Sequence, residues 1–299
     1  MPTSAQTLLV TGASGQLGRR VVEWLLASGE SQIIATTRTP EKLADLAARG
    51  VQVRFADFDQ PDSLPAAFAG ADRLLLISTD AVMVPGHRLR QHRAAVKAAS
   101  QAGVKHVLYT SLTCPEPGTP ITLAPDHHGT EQALAESTLD WTILRNNVYT
   151  DGFLMSLPNA IAMGKLVAAT GEGGAGYVTR EDCAKAAAAA LASNMTGRHV
   201  LDVTGPAIVT HSALAAILSE LSGKSVEYIP VPAPEMKNIL AGAGLPEPVI
   251  DLIVSFDTAI EQGVLAVSTT VVADLTRQPP QSVREFLFAH RGALLGLTS

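Results

Sequence analysis

Three glycines near the start of the chain form the pattern best suited to chemistry. Gly12, Gly15 and Gly18 are spaced by three residues, after the apolar run "TLLV" and before an amphipathic stretch. Glycine here permits a tight turn, close approach of the backbone to a pyrophosphate, and close packing of a helix on a strand. The first amides of the following helix attract the same anion. The spacing predicts a dinucleotide-binding turn, rather than a purely structural one, with the contacts Gly12, Ser14, Gly15, Gln16, Leu17 and Gly18.

The end of the second predicted strand indicates which dinucleotide would bind. NADH-binding folds commonly carry an acidic residue about 20 residues past the glycines, where it holds the ribose 2′-hydroxyl. This chain has "IIATTRTPEK" there, with Arg38 at the strand end and Lys42 four residues on. A carboxylate would repel a 2′-phosphate, whereas a guanidinium can bind it with paired hydrogen bonds. We therefore predict NADPH as the preferred cofactor; the alternative is that Arg38 merely faces solvent.

Two further strand ends are predicted to line the cofactor crevice. Ligands of open parallel sheets bind outside the carboxyl ends of the strands. In "FADFD", Asp57 and Phe58 are placed to border the adenine, and in "LISTD", Ser78 and Thr79 are placed near the second ribose. Ordinary packing of these four side chains is an equally open alternative.

The chain lacks a pattern that supplies a proton in many dehydrogenases, Tyr-x-x-x-Lys, which places both side chains on one helix face. No tyrosine has a lysine four residues on; the tyrosines are Tyr109, Tyr149, Tyr177 and Tyr228. The nearest match in spacing is His128 and Gln132 in "DHHGTEQAL". His128 is therefore the candidate proton donor, against the alternative of a solvent-facing or structural histidine. A metal site at Asp126, His127 and His128 is rejected, because no further ligand follows with convincing spacing.

Alternating short apolar runs and helical stretches must position these residues. The predicted strands are 7–11, 32–37, 52–56, 73–77, 106–110 and 141–145, and the predicted helices between them are 17–28, 40–49, 61–69, 86–102 and 130–137. Continuous apolar strands such as "LLLIS" suit a parallel sheet covered on both faces. With short connections and right-handed crossovers, the pattern predicts an α/β fold with a doubly wound parallel (Rossmann) sheet.

Beyond about residue 151 the pattern loosens, which indicates a second lobe. "GEGGAG" (171–176) is predicted to be flexible, and proline interrupts "IPVPAPEM" and "GLPEP". Helices are predicted at 180–193, 211–222 and 281–290, and "GRHVLDVTG" is typical of a further strand. We predict an NAD(P)-binding domain over residues 1–154, with 180–204 returning to it, and a smaller α/β substrate-binding lobe over 155–299.

Composition and charge narrow the class of protein. Of 299 residues, 46% are hydrophobic and 17% are charged, which indicates a well-filled core. The net charge is -6 and no long Lys/Arg block occurs, so nucleic acid and anionic membranes are not expected partners. The basic residues of 86–102 are interpreted as a solvated helix face; they are Arg88, Arg90, Arg93 and Lys97.

Cysteine usage and the first residues predict a cytoplasmic location. Cys114 and Cys183 lack metal spacing and are expected to be reduced thiols. The opening "MPTSAQ" has no basic region, and no apolar run reaches membrane-spanning length without charges or prolines. We therefore expect a soluble cytoplasmic protein without a metal.

Taken together, these stretches resemble a known family. The chain resembles the NmrA-like branch of the atypical short-chain dehydrogenases/reductases in "TLLVTGASGQLGRRVVEWLL", "IIATTRTPEKLADLAARGVQVRFADFDQPDSL", "LLLIS", "AGVKHVLYTSL" and "TILRNNVYTD". The likeness is greatest to its bacterial NADPH-dependent quinone reductases and triphenylmethane dye reductases. It extends into the second lobe, in "KNILAGAGLPEP" and "FDTAIEQGVLAVS". The resemblance implies that NADPH lies in a cleft between a Rossmann lobe and a small substrate lobe.

The resemblance also implies roles at the ends of the fifth and sixth strands. Ser111, in "YTSL", matches the position of the family's serine and is a candidate catalytic residue, unless its hydroxyl bonds nearby backbone instead. Asn146 is placed where an amide can orient the nicotinamide carboxamide. Asn147 and Tyr149 are candidate substrate contacts, Tyr149 by stacking on a flat acceptor.

The missing proton relay limits the predicted reaction. Reduction of a simple ketone produces an alkoxide that needs a positioned acid. A quinone or a cationic dye gives a delocalised product, for which alignment of the two reactants supplies most of the rate. We therefore predict an NADPH-dependent oxidoreductase that transfers hydride to a small quinone-like, dye-like or other flat conjugated acceptor. The alternatives are a non-catalytic NADP(H)-sensing regulator that binds a protein partner, and an epimerase or lyase; a homodimer is left open.

Overall fold

A seven-stranded parallel sheet forms the centre of the computed structural model, which describes residues 6–297. The strands of the described chain are β1 (Leu8–Val10), β2 (Ile33–Thr37), β3 (Gln52–Phe55), β4 (Arg73–Leu76), β5 (His106–Leu112), β6 (Asp140–Asn146), β7 (Lys165–Ala168), β8 (Gly174–Ala175), β9 (Arg198–Val203), β10 (Val209–Thr210) and β11 (Glu227–Pro230). The large sheet has the order β3-β2-β1-β4-β5-β6-β9, and two-stranded sheets pair β10 with β8 and β11 with β7.

Helices connect these strands. They are α1 (Gln16–Ala27), α2 (Ala44–Ala47), α3 (Leu64–Phe68), α4 (His87–Gln101), α5 (Ala124–Glu136), α6 (Phe153–Met163), α7 (Arg180–Ala192), α8 (His211–Ser222), α9 (Ala233–Gly242), α10 (Glu247–Glu261), α11 (Val271–Thr276), α12 (Val283–Ala289) and α13 (Arg291–Leu294). Short 3₁₀ turns cover Pro40–Leu43, Pro61–Ser63 and Thr150–Gly152. Proline begins the first two of these turns, where its missing N–H costs no hydrogen bond.

The strand order creates a crevice between β1 and β4. The chain builds outward from β1 to β2 and β3, then returns to the other side of β1 to add β4, β5 and β6. At the end of β1, Val10 pairs with Ala35 of β2 on one side and Leu75 of β4 on the other. In open parallel sheets, ligands bind outside the carboxyl ends of the strands at such a reversal. The fold thus places a binding crevice where the glycine turn follows β1.

Apolar residues are buried on both faces of the large sheet, as predicted for continuous apolar strands. On one face Leu8 and Val10 pack in a cluster with Val21 of α1 and with the alanines of α7. On the other face Leu9 packs in a cluster with Phe68 of α3 and with residues of α4. This two-sided burial is what a doubly wound sheet requires, so the predicted fold class is confirmed.

The bounds of one helix differ from the sequence-based expectation in a way that affects the site. Helix α5 begins at Ala124, six residues before the predicted start at 130. Pro125 lies in its first turn, where proline is favoured, and Asp126 there complements the helix dipole. His127 and His128 consequently lie on a helix. Neighbouring side chains on a helix point in directions that differ by about 100°.

A second apolar core lies under the C-terminal helices. It joins Leu157 of α6, Leu218 of α8, Ile260 of α10 and Leu287 of α12. Strand β9, which follows α7, pairs in parallel with β6 and so belongs to the large sheet. These facts fit the predicted division at residue 154, which stays a prediction.

The glycine-rich segment 171–176, expected to be flexible, is instead packed backbone. Gly174 belongs to β8, and a Cβ there would lie 2.7 Å from Ile208 Cγ2. A Cβ on Gly173 would overlap the carbonyl oxygen of Ile260, and one on Gly176 that of Val267. The glycines here permit close contact between chain segments, so the expectation of flexibility was wrong.

The described residues contain neither a membrane-spanning helix nor a cluster of metal-ligating side chains. Between residues 6 and 297, no helix is both long enough and apolar enough to cross a bilayer. In the same range, no three side chains of His, Cys, Asp or Glu are grouped as a metal site would need.

Candidate active site

The glycine turn has the geometry that a pyrophosphate needs. Gly12 has a φ of +59°, in the left-handed region, and its carbonyl accepts the N–H of Gly15 at 2.9 Å. A Cβ on Gly15 would lie 3.2 Å from this carbonyl oxygen, and a Cβ on Gly18 would overlap it. The first amides of α1 lack partners within the helix, and its first turn holds no acidic residue. The turn therefore forms a tight cradle, in which a side chain on Gly15 or Gly18 would press on the Gly12 carbonyl.

A cavity of about 270 Å³, which we call the first cavity, opens onto this turn. Its lining brings together most of the predicted cofactor residues: Gly12, Ser14, Gly15, Gln16, Leu17, Gly18, Arg38, Asp57, Phe58, Ser78 and Thr79. Thr37, Ala56, Ile77, Asp80 and Gln91 complete it. The ends of β1, β2, β3 and β4 thus meet at one cleft, and the individual contacts stay predictions.

Arg38 lines the first cavity, directly after β2. Its side chain is exposed, and it forms no hydrogen bond or ion pair with any residue between 6 and 297. Behind it, the hydroxyls of Ser14 and Thr37 share a hydrogen bond of 2.8 Å that joins the glycine turn to the end of β2. Lys42 is also exposed, but the structure does not bring it to the cavity wall.

A second cavity, of about 260 Å³, adjoins the first, because Ser78 lines both. Its apolar wall consists of Leu112, Leu123, Val148, Tyr149 and Phe256. Its polar side chains besides Ser78 are Arg88, Ser111, His127, Asn146 and Asn147. A mostly apolar cavity with a few convergent polar groups is the usual form of a small-molecule site.

Ser111 belongs to a buried network that joins β5, α5 and β6. Its hydroxyl donates to Glu131 Oε1 at 2.6 Å. The same carboxylate accepts two hydrogen bonds from Arg145, at 3.0 and 2.6 Å, and Arg145 also pairs with Glu116 at 2.7 Å. Burial lowers the pKa of Arg145, but the two carboxylates raise it by more. The proton of Ser111 is therefore committed to Glu131, and the network fixes the floor of the second cavity.

The three predicted residues at the end of β6 differ in how their side chains are used. Asn147 Nδ2 donates to the carbonyl of Leu265 at 3.1 Å, and its Oδ1 accepts the N–H of Val148 at 2.8 Å. Asn146 Nδ2 donates to Tyr149 Oη at 3.0 Å. The Asn147 amide is thus occupied within the protein, and its predicted substrate contact rests on cavity lining alone.

Tyr149 presents limited ring surface for stacking. The guanidinium of Arg180 lies 5.2 Å from the centre of its ring, close enough for a cation–π contact. The Arg180 backbone and side chain are held by Asp151, with bonds of 2.8 and 3.0 Å. One face of the ring is therefore covered, and any stacking must use the other face or the edge.

The structure separates His128 from the other predicted catalytic residue. His128 and Gln132 line a third cavity, beside Pro115 and Pro117, whereas Ser111 lines the second. The histidine that reaches the second cavity is its neighbour, His127. His128 therefore lines a different cavity from Ser111, and its role as a proton donor stays a prediction.

His127 is a buried, neutral histidine. Its Nε2 lies 2.9 Å from Arg88 Nη1, and because arginine can only donate, Nε2 accepts and the ring proton is on Nδ1. Nδ1 then donates to Tyr109 Oη at 2.9 Å. Burial lowers the pKa of His127 well below its ordinary value, and the nearby Arg88 lowers it further. His127 is thus fixed by both neighbours and carries no proton available for transfer.

Arg88 is the functional candidate that the sequence reasoning missed. It was interpreted as part of a solvated face, yet its side chain is 4% exposed and lines the second cavity. The signal was the helical period of α4. Buried residues of α4 recur every three or four positions. Counting back from the buried Ala95, this spacing reaches His92 and Gln91 and then Arg88.

The fold and the paired cavities define the class of the molecule. A parallel sheet with a glycine turn at its strand-order reversal, opening onto one cleft, is characteristic of dinucleotide-binding α/β proteins. A profile of the family described as NAD(P)H-binding matches residues 12–194, and the chain belongs to this family.

Relatives of known activity support the same assignment. Quinone oxidoreductase 2 of Escherichia coli is 36% identical over 279 residues, which cover 93% of this chain and 96% of the relative. The structure of that NADPH-dependent enzyme in complex with NADPH superposes with a TM-score of 0.89 over 95% of this chain and 99% of the relative. The triphenylmethane reductase structure from Citrobacter sp. is 37% identical, with a TM-score of 0.88 over 97% of this chain and 99% of that one.

A fungal relative carries the name of the branch that the sequence resembles. An NmrA-like family domain-containing oxidoreductase of Aspergillus flavus is 32% identical over 225 residues, which cover 73% of this chain and 72% of the relative. The predicted resemblance is thereby confirmed. The chain is an NAD(P)H-dependent oxidoreductase of the Rossmann type.

Proposed function

We propose that this oxidoreductase transfers hydride from NADPH to a small quinone-like acceptor. The observation that carries the proposal is the pair of adjoining cavities. The first holds the glycine turn and Arg38, the second is mostly apolar, and Ser78 lines both. The two reactants can therefore lie side by side. The names of two relatives, a quinone oxidoreductase and a triphenylmethane reductase, support a flat conjugated acceptor.

The residues present fit the cofactor. NADPH, when bound, supplies the hydride. The glycine cradle and the first amides of α1 would bind the pyrophosphate, and the exposed guanidinium of Arg38 would bind the 2′-phosphate. Asn146 Oδ1 remains available to orient the far end of the dinucleotide, since Nδ2 is used by Tyr149.

The second cavity suits an acceptor that needs no dedicated acid. His127 is neutral and has both ring nitrogens engaged, and the Ser111 proton is bonded to Glu131. A conjugated acceptor spreads the charge that it receives, so its protonation can come from solvent after transfer. The rate then depends mainly on holding the two reactants in contact.

We further propose that the two lobes divide these tasks. The cofactor would bind residues 1–154 together with 180–204. The acceptor would be covered by residues 155–299, from which Phe256 of α10 reaches the second cavity. The buried amide of Asn147, bonded to Leu265, supports this because it ties the end of β6 to the second lobe.

We propose a cytoplasmic location for this reaction. Cys114 and Cys183 are both free thiols in the structure, and Cys183 is buried. Free cysteines are typical of a reducing compartment. A fluorescent fusion observed in intact cells would test the proposal, which a purely extracellular signal would contradict.

Turnover tests the function directly. The purified protein should oxidise NADPH in the presence of neutral quinones, followed as loss of absorbance of the reduced nicotinamide. Hydroquinone should accumulate in a 1:1 ratio with NADPH consumed. Absence of turnover across a panel of quinones of different size would contradict the proposal.

Arg38→Ala should weaken NADPH binding by about 10–100-fold and leave NADH binding unchanged. Hydrogen bonds to a charged group contribute about 1.5–3 kcal/mol, and this contribution is available only with the 2′-phosphate. Fluorescence titration of wild type and variant with both cofactors measures it. Lys42→Ala is the matched control, because this exposed cation lies off the cavity wall. Equal losses for NADPH and NADH would contradict the assignment.

His128→Ala and Gln132→Ala should each keep quinone reduction within about threefold of wild type. Both side chains line the third cavity, away from Ser111 and Arg88. A positioned general acid typically contributes about 10²–10⁴-fold to the rate. A fall of that size in kcat for His128→Ala, with NADPH affinity and folding unchanged, would show that His128 donates the proton after all.

A further inference from the structure

Arg88 is a buried cation that lacks an adjacent carboxylate in the described part of the chain. Its side chain is 4% exposed, in the first turn of α4, and it lines the second cavity. Among residues 6–297, no carboxylate lies within 4.0 Å of its guanidinium nitrogens. Asp126 and Asp80 act on it from a longer distance. Burial of an unpaired charge is costly, so a cation kept in this position points to a ligand that compensates it.

The protein holds the guanidinium with neutral acceptors and leaves one nitrogen unused. Nε donates to the carbonyl of Thr79 at 2.7 Å, and Nη1 donates to His127 Nε2 at 2.9 Å. Nη2 has no hydrogen-bond partner among residues 6–297. Thr79 is itself fixed, because its N–H donates to His92 Nε2 at 3.0 Å. Two rigid contacts thus orient the fork of Arg88, and the third nitrogen is left for a ligand of the second cavity.

The surroundings make this charge effective. The cavity wall beside Arg88 is largely apolar, with Leu112, Leu123, Val148 and Phe256. In such an environment a charge acts more strongly on its neighbour than it would in water. A preorganised donor aimed at a site of developing charge is the arrangement by which enzymes stabilise an oxyanion.

Hydride acceptors differ in where their charge develops. A neutral quinone accepts hydride at a ring carbon; a C–H bond forms as the cofactor's C–H bond breaks, and the displaced π pair moves to the conjugated carbonyl oxygen. The resulting enolate takes a proton from solvent and tautomerises to the hydroquinone. A cationic triphenylmethane dye accepts hydride at its central carbon and becomes neutral, so no oxyanion forms. Positive charge at the site therefore favours the first reaction and opposes binding in the second.

We propose that Arg88 Nη2 binds the carbonyl oxygen of the acceptor and stabilises the oxyanion formed there, which selects neutral quinones over cationic dyes. The inference deepens the proposed function and rests on it. His127 and Thr79 act as positioning residues that aim the guanidinium. Arg88 is the catalytic group that replaces the missing Tyr-x-x-x-Lys pair, and it acts by charge instead of by proton transfer.

Kinetics with two acceptors test the assignment. Arg88→Met should lower kcat/KM for 1,4-naphthoquinone by about 10²–10³-fold, the loss typical of removing one oxyanion donor. With crystal violet, a cationic dye, kcat/KM should stay the same or rise. Arg90→Met is the matched control on the same helix, since Arg90 is exposed and lies off the second cavity. Equal losses with both acceptors, or a parallel loss of NADPH affinity, would overturn the proposal.

Equilibrium binding provides a readout independent of turnover. 2-Hydroxy-1,4-naphthoquinone is an anion at neutral pH and carries its charge on the conjugated oxygens. In calorimetric titrations the wild type should bind it at least tenfold more tightly than neutral 1,4-naphthoquinone, and Arg88→Met should abolish that difference. Arg88→Lys keeps the positive charge but lacks the planar guanidinium, so it should retain part of the preference for the anion. This variant replaces Arg88→Met in the experiment if Arg88→Met does not fold.

Failure of the proposed function and failure of the role assigned to Arg88 give different results. A wild type that binds NADPH but reduces no quinone contradicts the proposed function, and the anion titration still decides the role of Arg88. A wild type that reduces quinones while Arg88→Met does so equally well overturns the inference alone. Equal affinity of the wild type for the anionic and the neutral naphthoquinone overturns it as well.

Discussion

Gly15→Val is expected to lower the affinity for NADPH by at least about 100-fold in a chain that remains folded. Gly15 precedes α1 with extended backbone, φ -80° and ψ 167°, a conformation that valine adopts readily. Its Cβ would lie 3.2 Å from the carbonyl oxygen of Gly12, and the two methyl groups beyond it would occupy the cradle. The pyrophosphate would then lose the backbone amides that no other group replaces.

Two measurements together identify this effect. NADPH titration should show no saturable binding for Gly15→Val, while its thermal unfolding midpoint stays within a few degrees of wild type. Gly242→Val, at the end of α9 where a Cβ would meet nothing within 4 Å, is the control for the general cost of losing a glycine. Unchanged NADPH affinity in a folded Gly15→Val protein would refute the assigned cradle.

The other two glycines of the turn should behave differently. Gly18→Val would force a Cβ into the carbonyl of Gly12, so it should destabilise the fold as well as the site. Gly12 has space around it but a φ of +59°, which costs a branched residue about 1–2 kcal/mol. Of the three positions, Gly15 is therefore the one that separates binding from folding.

Most of the fold was predictable from the sequence because its signals are local. The inner strands β1, β2, β4 and β5 are buried throughout. The observed β2, β3 and β4 lie within about one residue of the predicted bounds. The glycine turn was predictable because its function depends on backbone conformation and missing side chains. Both kinds of signal are visible in a single short stretch of chain.

The catalytic candidates were less predictable because a helix rotates by about 100° per residue. Starting α5 at Ala124 turns His127 and Glu131 inward together, and places His128 and Gln132 on a different cavity. The inward pair has the same four-residue spacing that was sought for Tyr-x-x-x-Lys. The four-residue spacing alone therefore could not tell which of the two adjacent histidines lines the second cavity.

Tertiary contacts account for the remaining differences. The glycines of 171–176 match a flexible linker in composition, but their positions are set by Ile260 and Val267, which lie about 90 residues further along the chain. Asn147 directly follows β6 at the carboxyl edge of the sheet, yet its amide donates to the carbonyl of Leu265. Neither partner could be identified from the residues around the motif.

Arg145→Met is expected to destabilise the protein by about 3 kcal/mol, the lower end of the range for breaking a buried ion pair. The Arg145 and Glu131 side chains are 15% and 9% exposed, so the carboxylate left behind would be charged and mostly out of water. Ser111 would still donate to it, but one hydroxyl does not replace two bonds from a guanidinium. In a chain of this size the loss corresponds to a fall of roughly 5 °C in Tm.

Paired variants separate the buried charge from lost packing. Arg284→Met breaks an ion pair with Glu220 whose side chains are 53% and 55% exposed, and should cost less than about 1 kcal/mol. Adding Glu131→Gln to Arg145→Met removes the uncompensated charge while leaving an oxygen for Ser111, so the double variant should be more stable than Arg145→Met alone. Denaturant unfolding of the wild type, the two single variants and the double variant measures these differences in stability. If Arg145→Met lost no more stability than Arg284→Met, the network would shape the second cavity without stabilising the fold.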